Sequence, residues 1–164
     1  LNFKTADLCD DHTDKVQIAE PVFTNFGGVT SFSGPISTVK CFEDNSRVRE
    51  AFEAPGKGRV LVVDGGASTR CALVGDRLAA MASKNGWAGI IVNGCIRDSA
   101  DISRMEIGVK ALATHPLKSV KQGHGEVNVA TRFAGIKFAP NQFVYADEDG
   151  IIVSDTALLD AQRE

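Results

Sequence analysis

Two acids and an arginine are the side chains of this chain best suited by type and spacing to do chemistry: Asp76 and, after twenty intervening residues, the adjacent pair Arg97-Asp98. Arginine presents a planar fork of donors that pairs with a carboxylate or keto oxygen and stabilises negative charge there as an enolate forms. Asp98 supplies hard anionic oxygen. Mg2+ or Mn2+ commonly takes only one or two protein carboxylates and fills its remaining positions with water and substrate, so Asp98 directly and Asp76 through water would suffice. Gly75 lets the backbone approach closely, and the amides of Gly75, Asp76, Arg77 and Leu78 form the open first turn of a helix, a cradle for a substrate carboxylate. A structural reading competes: Asp76 caps its helix, Arg97 pairs with a surface acid, and Asp98 or Ser99 caps the next helix.

Both charged clusters fall where a strand hands over to a helix. Val60 to Asp64 reads as a strand closed by Gly65-Gly66. Gly75-Asp76 opens a helix with Leu78, Ala79, Met81 and Ala82 on one face and Gly86 placed to end it. Gly89 to Asn93 reads as a buried strand, with Cys95 to Asp98 at its carboxyl end and a further helix starting at Ser99. Upstream, Thr5 to Asp14 predicts a short polar helix capped by Thr5 or Asp7. Val29 to Phe32 and Ile36 to Cys41 predict two strands about Gly34-Pro35, as a hairpin or a bulged strand, and Ser46 to Ala54 predicts a helix broken by Pro55-Gly56. Beyond Pro116, short strands are expected over Val127 to Phe133, Ile136 to Phe138, Phe143 to Ala146 and Ile151 to Val153, with Asp149-Gly150 the clearest turn and a final helix over Thr156 to Arg163 capped by Ser154 or Asp155. One α/β domain spanning residues 1–164 is the expectation, its topology left open by element order.

The chain has 164 residues, 43% hydrophobic and 24% charged, enough for one domain with a substantial core. A net charge of −3 gives no basis for sequence-independent nucleic-acid binding. No apolar run reaches the roughly 18 residues of a membrane span, and Asp7, Asp10, Asp11 and Asp14 make the start too acidic for a signal peptide. The expectation is a soluble, cytoplasmic protein. Cys9, Cys41, Cys71 and Cys95 form no Cys-x-x-Cys pair and read as reduced thiols. Cys9 and His12 make at most half a metal site, and His115 and His124 have no acid and nucleophile beside them. There is no Gly-x-Gly-x-x-Gly, P-loop or Gly-x-Ser-x-Gly, which sets aside dinucleotide, P-loop and serine-hydrolase chemistry. Neither Lys40 nor Lys57 is marked as a Schiff-base lysine.

The segments Leu8-Cys9-Asp10, Glu20 to Gly28, Thr38 to Asn45, Gly58 to Gly66 and Tyr145-Ala146-Asp147 resemble the regulator of ribonuclease E activity A (RraA) family and its relatives, the class II 4-hydroxy-4-methyl-2-oxoglutarate aldolases. The similarity runs over nearly the whole chain. It implies a β/β/α swivelling-domain-like fold and a homotrimer with clefts between subunits, to which Glu20 and Glu148 are possible contributors. The aldolase relatives carry an Asp, twenty residues and then Arg-Asp, here Asp76, Arg97 and Asp98, with Asp101 three residues on. By resemblance, Gly75 to Leu78 would bind substrate, Arg97 would hold the pyruvyl portion, Asp76 would act through a water, and Asp98 would ligate a divalent metal. The implied reaction is metal-dependent cleavage of 4-hydroxy-4-methyl-2-oxoglutarate to two pyruvates, with oxaloacetate decarboxylation through the same enolate. The namesake regulator lacks the Arg-Asp pair and inhibits ribonuclease E, so binding of that partner by a non-catalytic trimer is the alternative implied.

Overall fold

A computed structural model describes residues 2–163. Its elements run α1 (Thr5–Asp11), β1 (Val16–Ile18), β2 (Thr24–Asn25), β3 (Phe32–Lys40), α2 (Ser46–Glu53), β4 (Val60–Asp64), β5 (Ala72–Val74), α3 (Asp76–Lys84), β6 (Gly89–Ile96), α4 (Ser99–Ile102), β7 (Gly108–Thr114), β8 (Glu126–Val127), β9 (Thr131–Phe133), β10 (Ile136–Phe138), β11 (Phe143–Ala146) and β12 (Ile151–Ser154). The main path of the large sheet is β1-β12-β11-β3-β4-β6-β7-β2, with β5 added to β6 and β8 to β3, while β9 and β10 pair separately. β3, β4, β6 and β7 are mutually parallel.

Continuous apolar runs such as Val60-Leu61-Val62-Val63 are the pattern of strands covered on both faces, and alternate residues divide between two cores. Leu61, Val63, Ile90, Val92 and Val109 join Val48 and Phe52 of α2 and Leu78, Ala79 and Ala82 of α3. Val60, Val62 and Ile91 turn the other way, onto Phe133 and Phe138 of the β9–β10 hairpin with Val144 and Val153. The layers are therefore β/β/α. Each fully buried aliphatic or aromatic side chain contributes roughly 1.5–3 kcal/mol, so the paired cores fix which face of the sheet receives the helices. Gly89 and Gly108 leave a slot for Phe32, whose ring a Cβ at either position would strike.

The helix of the cleft starts and stops as the sequence indicates. Gly75 is its N-cap. Gly86, at φ +83, accompanies the bonds Trp87 N–H to Ala82 O (3.0 Å) and Gly86 N–H to Ser83 O (3.2 Å), which together make a Schellman stop.

Elsewhere the structure corrects the sequence reading. Phe32–Lys40 is one strand, not two around Gly34-Pro35. Ile36 N–H reaches Gln142 O at 2.8 Å on the β11 side. The missing donor of Pro35 therefore falls on the β4 side, one residue before that ladder begins at Ile36 and Val60. Val127 to Phe133 is broken at Asn128, φ +58, so that Val127 pairs with β3 and Thr131–Phe133 with β10. β6 continues to Ile96, and α4 is a single turn. The expected final helix is only a 3-10 turn at Asp160–Gln162, because the buried Tyr145 hydroxyl accepts the Leu158 N–H at 2.8 Å and ties that segment to the sheet. α1 stops at Asp11 and has no side-chain cap of its own; Asp147 instead receives the Thr5 N–H and hydroxyl, each at 2.7 Å. β5 and β7 were not expected from the sequence.

Candidate active site

β5 is the element that assembles the site. It lies parallel to β6 with Val74 opposite Ile96, so the residues that leave the two strands, Gly75-Asp76 and Arg97-Asp98, emerge side by side at the carboxyl ends. Crevices outside such strand ends are where open α/β sheets bind ligands. Arg97 N–H donates to Val74 O at 2.9 Å and locks the two exits together. Asp98 then adopts a left-handed backbone, φ 59 and ψ 40, which turns the chain into α4. Such a conformation is strained for most side chains and tolerable for aspartate.

From that position the Asp98 carboxylate reaches back to the neighbouring helix. Its Oδ2 accepts the Asp76 N–H at 3.0 Å and lies 4.0 Å from Arg97 Nε. Asp76 Oδ1 accepts the Arg77 N–H at 2.8 Å. The Asp76 N–H, followed by the Arg97 guanidinium, holds the Asp98 carboxyl below the usual carboxylate range despite some desolvation, and keeps it anionic at neutral pH. The capping reading is corrected: the N-cap of α3 is Gly75, not Asp76, and Asp98 accepts an N–H of that helix while making no side-chain cap to α4. Two of the four amides in the anticipated cradle are thus already engaged by carboxylates. Gly75 is required for space, since a Cβ there would lie 2.9 Å from Asp98 Oδ2 and 3.4 Å from Arg97 Nε.

Gly75, Asp76, Arg77, Leu78, Arg97 and Asp98 all border one cleft of about 650 Å³. Asp101 is elsewhere, paired with Arg104 at 3.2 Å. Glu20 and Glu148 do not line it, and neither does any of the histidines or cysteines. Burial pushes the Cys41 thiol up to about 12 and also raises Cys71 and Cys95, so these groups offer no thiolate at neutral pH. Free thiols are found at all four cysteines.

Sequence reasoning missed the opposite wall, where Asn45, Arg49, Lys118, Ser119 and Lys121 face the same space. Five cationic side chains and two carboxylates therefore border the cleft, an excess of positive charge suited to a multiply charged anion. Sequence reasoning also missed Lys110, 3% exposed and pushed downward by burial, although Asp147 and Glu148 oppose that shift. It is the desolvated lysine that sequence could not single out, but it does not border the cleft.

The donor set fits a hard divalent ion. Asp76 and Asp98 are adjacent carboxylates open to the cleft, and no cluster of three or more His, Cys, Asp or Glu suited to a metal occurs among the described residues. Two carboxylates completed by water and substrate are sufficient for Mg2+ or Mn2+, whereas a structural zinc site needs more ligands.

Fold and cleft together define a β/β/α protein with a cation-lined crevice at parallel strand ends. A family model described as RraA-like, Aldolase/RraA, matches residues 5–153, and the chain belongs to that family. It is 58% identical over 159 residues to a protein of Aromatoleum aromaticum named as a candidate 4-hydroxy-4-methyl-2-oxoglutarate aldolase, covering 97% of this chain and 100% of the relative. Among solved structures, the RNA-processing inhibitor RraA from Thermus thermophilis superposes with a TM-score of 0.93 at 40% identity, covering 99% of this chain and 98% of that one. A protein from Geobacillus kaustophilus HTA426 described as an S-adenosylmethionine:2-dimethylmenaquinone methyltransferase gives 0.94 at 52% identity, covering 95% and 97%. No helix among the described residues is long and apolar enough to cross a membrane.

Proposed function

We propose that the chain is a divalent-metal-dependent aldolase that cleaves 4-hydroxy-4-methyl-2-oxoglutarate into two pyruvates and decarboxylates oxaloacetate as a second reaction. The observation that carries this reading is the convergence of Arg97 and Asp98 on the first turn of α3 in a cleft with an excess of cations. The aldolase name of a 58% identical relative supports it.

The substrate is a dianion whose C3–C4 bond must break. The electron pair of that bond flows onto the 2-oxo oxygen as an enolate, the 4-hydroxyl gives up its proton and becomes the keto group of one pyruvate, and protonation at C3 yields the other. Arg97 faces the 2-oxo acid end and stabilises the enolate charge. The first turn of α3, from Gly75 to Leu78, orients the 1-carboxylate. Asp98 would hold the metal, and Asp76 would hold a water able to move protons. The metal, when bound, supplies Lewis-acid stabilisation of the same developing charge. Oxaloacetate loses carbon dioxide to the same enolate, so one arrangement serves both reactions.

The methyltransferase description of the Geobacillus relative fits this cleft poorly. Its cofactor carries a sulfonium cation, which a wall of Arg49, Arg77, Arg97, Lys118 and Lys121 would repel. Assembly as a homotrimer belongs to the reading, and the exposed Leu117 and Val120 beside Lys118 and Ser119 are apolar surface for such a contact. Sedimentation equilibrium tests it. A second reading, binding and restraint of ribonuclease E by protein contacts, is favoured by the 40% identity to an RNA-processing inhibitor. Capture by immobilised ribonuclease E tests that activity separately.

The decisive assay is pyruvate release with and without chelator. Activity should vanish in excess EDTA, return with Mg2+ or Mn2+, and leave no borohydride-trapped lysine adduct. Full turnover in EDTA would remove the metal from the mechanism.

A further inference from the structure

Asp98 keeps a left-handed backbone, φ 59 and ψ 40, which a residue other than glycine holds only where its surroundings over-determine it. On the incoming side, the Arg97 N–H bond to Val74 O at 2.9 Å fixes the approach. The outgoing side is α4, a single turn too short to persist without tertiary contacts. Its buried residue is Ile102, 0% exposed, whose N–H returns to Asp98 O at 3.0 Å. Whatever seats Ile102 therefore also sets the direction in which the Asp98 carboxylate leaves the backbone.

That seat is built by the connection between β2 and β3. Met105 N–H donates to Ile102 O at 3.1 Å, and Met105 O accepts the Gly28 N–H at 3.0 Å. Phe26 and Met105 both pack against the core that contains Ile102. A Cβ on Gly28 would lie 2.3 Å from Met105 O and 3.1 Å from Ser103 O, at the exit of α4. One on Gly27 would lie 2.1 Å from Ile107 O and 2.7 Å from Val109 N, at the start of β7. Neither glycine has a positive φ, so each is required for space: two backbones lie flush, and any Cβ between them pushes one away.

We propose that Gly28 is a positioning residue for the candidate site, seating α4 through Met105 and so aiming the Asp98 carboxylate. The reach is three hydrogen bonds, from Gly28 to Met105, Met105 to Ile102 and Ile102 to Asp98. The consequence for metal affinity rests on the aldolase reading. The aim of the carboxylate does not, because it is registered by the Asp76 N–H, 3.0 Å from Asp98 Oδ2. That amide lies in the first turn of α3, where an N–H has no partner within its own helix. Its protection from solvent therefore reports the Asp98 bond.

NMR of the intact, metal-free protein measures exchange of the Asp76 amide with solvent. Gly28→Ala should quicken it about tenfold, the scale of losing a hydrogen bond to a charged acceptor. Ile102→Val removes one methyl group from the seat and should quicken it roughly twofold; it carries the test if Gly28→Ala does not fold. Gly27→Ala and Ile107→Val disturb the start of β7 instead and should leave the Asp76 amide as in the parent. Calorimetry with Mn2+ separates site number from affinity. A misaimed Asp98 gives the parental number of sites with a Kd about ten- to hundredfold weaker, whereas partial unfolding gives fewer sites of parental affinity. Unchanged Asp76 exchange in folded Gly28→Ala, or in Ile102→Val if the former does not fold, overturns the brace. Equal quickening in the β7 variants does so too, as do fewer Mn2+ sites of parental affinity. A parent that binds no Mn2+, with Asp76 exchange still quickened by the α4 variants and not by the β7 ones, keeps the brace and removes the metal from the proposed function.

Discussion

Asp147 and Asp98 show one side chain in two settings. In the antiparallel half, Asp147 is 4% exposed, and its oxygens are taken by the Thr5 N–H, the Thr5 hydroxyl and the Asp149 N–H at 3.0 Å. At the parallel strand ends, Asp98 has a side chain 36% exposed and accepts one backbone N–H. Burial would lift the Asp147 carboxyl, but its hydrogen bonds win and lower it; Asp98 is also lowered, chiefly by the Asp76 N–H. A lowered pKa therefore does not mark a site. Open coordination does, because a carboxylate with spare lone pairs facing a cleft can still bind something, and a saturated one can only hold the fold together.

The largest effect should come from the open end. Arg97→Ala or Asp98→Ala is expected to lower pyruvate release by about 10²–10³-fold or more, the scale of losing one stabiliser of transition-state charge, with the far-ultraviolet dichroism retained. Arg97→Ala with undiminished turnover would erase the contrast between the two aspartates.

The saturated end should behave in the opposite manner. Asp147→Ala leaves the Thr5 N–H and hydroxyl without their acceptor and is expected to cost about 2–3 kcal/mol, read from denaturant titration, while turnover per folded molecule stays near that of the parent. If activity falls more than stability, Asp147 communicates with the cleft and the division is too sharp.

A smaller change probes spacing. Gly75 has extended backbone, φ −120 and ψ −168, so alanine brings no torsional strain and acts through its Cβ, 2.9 Å from Asp98 Oδ2. Gly75→Ala should reduce kcat/KM by about tenfold by displacing that carboxylate, at a stability cost of about 1 kcal/mol or less.

The smallest effect is on pH dependence. The folded Asp147 carboxyl titrates below its unfolded value of about 3.9, so its contribution is fully present above that value and is lost as pH falls through the lower folded one. Asp147→Asn should flatten the acid limb of stability against pH by at most about 1.4 kcal/mol per pH unit. Urea midpoints between neutral pH and pH 2 measure it.

Several elements were legible because their signals are local. The run Val60–Asp64, the apolar face of Leu78, Ala79 and Ala82, and the stop at Gly86 each follow from neighbouring residues. Pro35 misled because its compatibility with a continuous strand depends on which neighbour has begun to pair there. Thr156 to Arg163 misled because a tyrosine hydroxyl from β11 outcompetes helix formation.

By itself the sequence determined the residue types and spacing of Asp76, Arg97 and Asp98 and the helix start beside them. Only the tertiary structure decided that Ala72–Val74, too short to show a period, is a strand beside β6 that brings Asp76 to Asp98. It alone placed Arg49 and Lys121 across the cleft, on a wall tied together by hydrogen bonds such as that from Gln122 N–H to Asp44, 78 residues away. Helix and strand periodicity is written in adjacent side chains, whereas a cleft wall depends on contacts between distant ones, and those exist only once the sheet has formed.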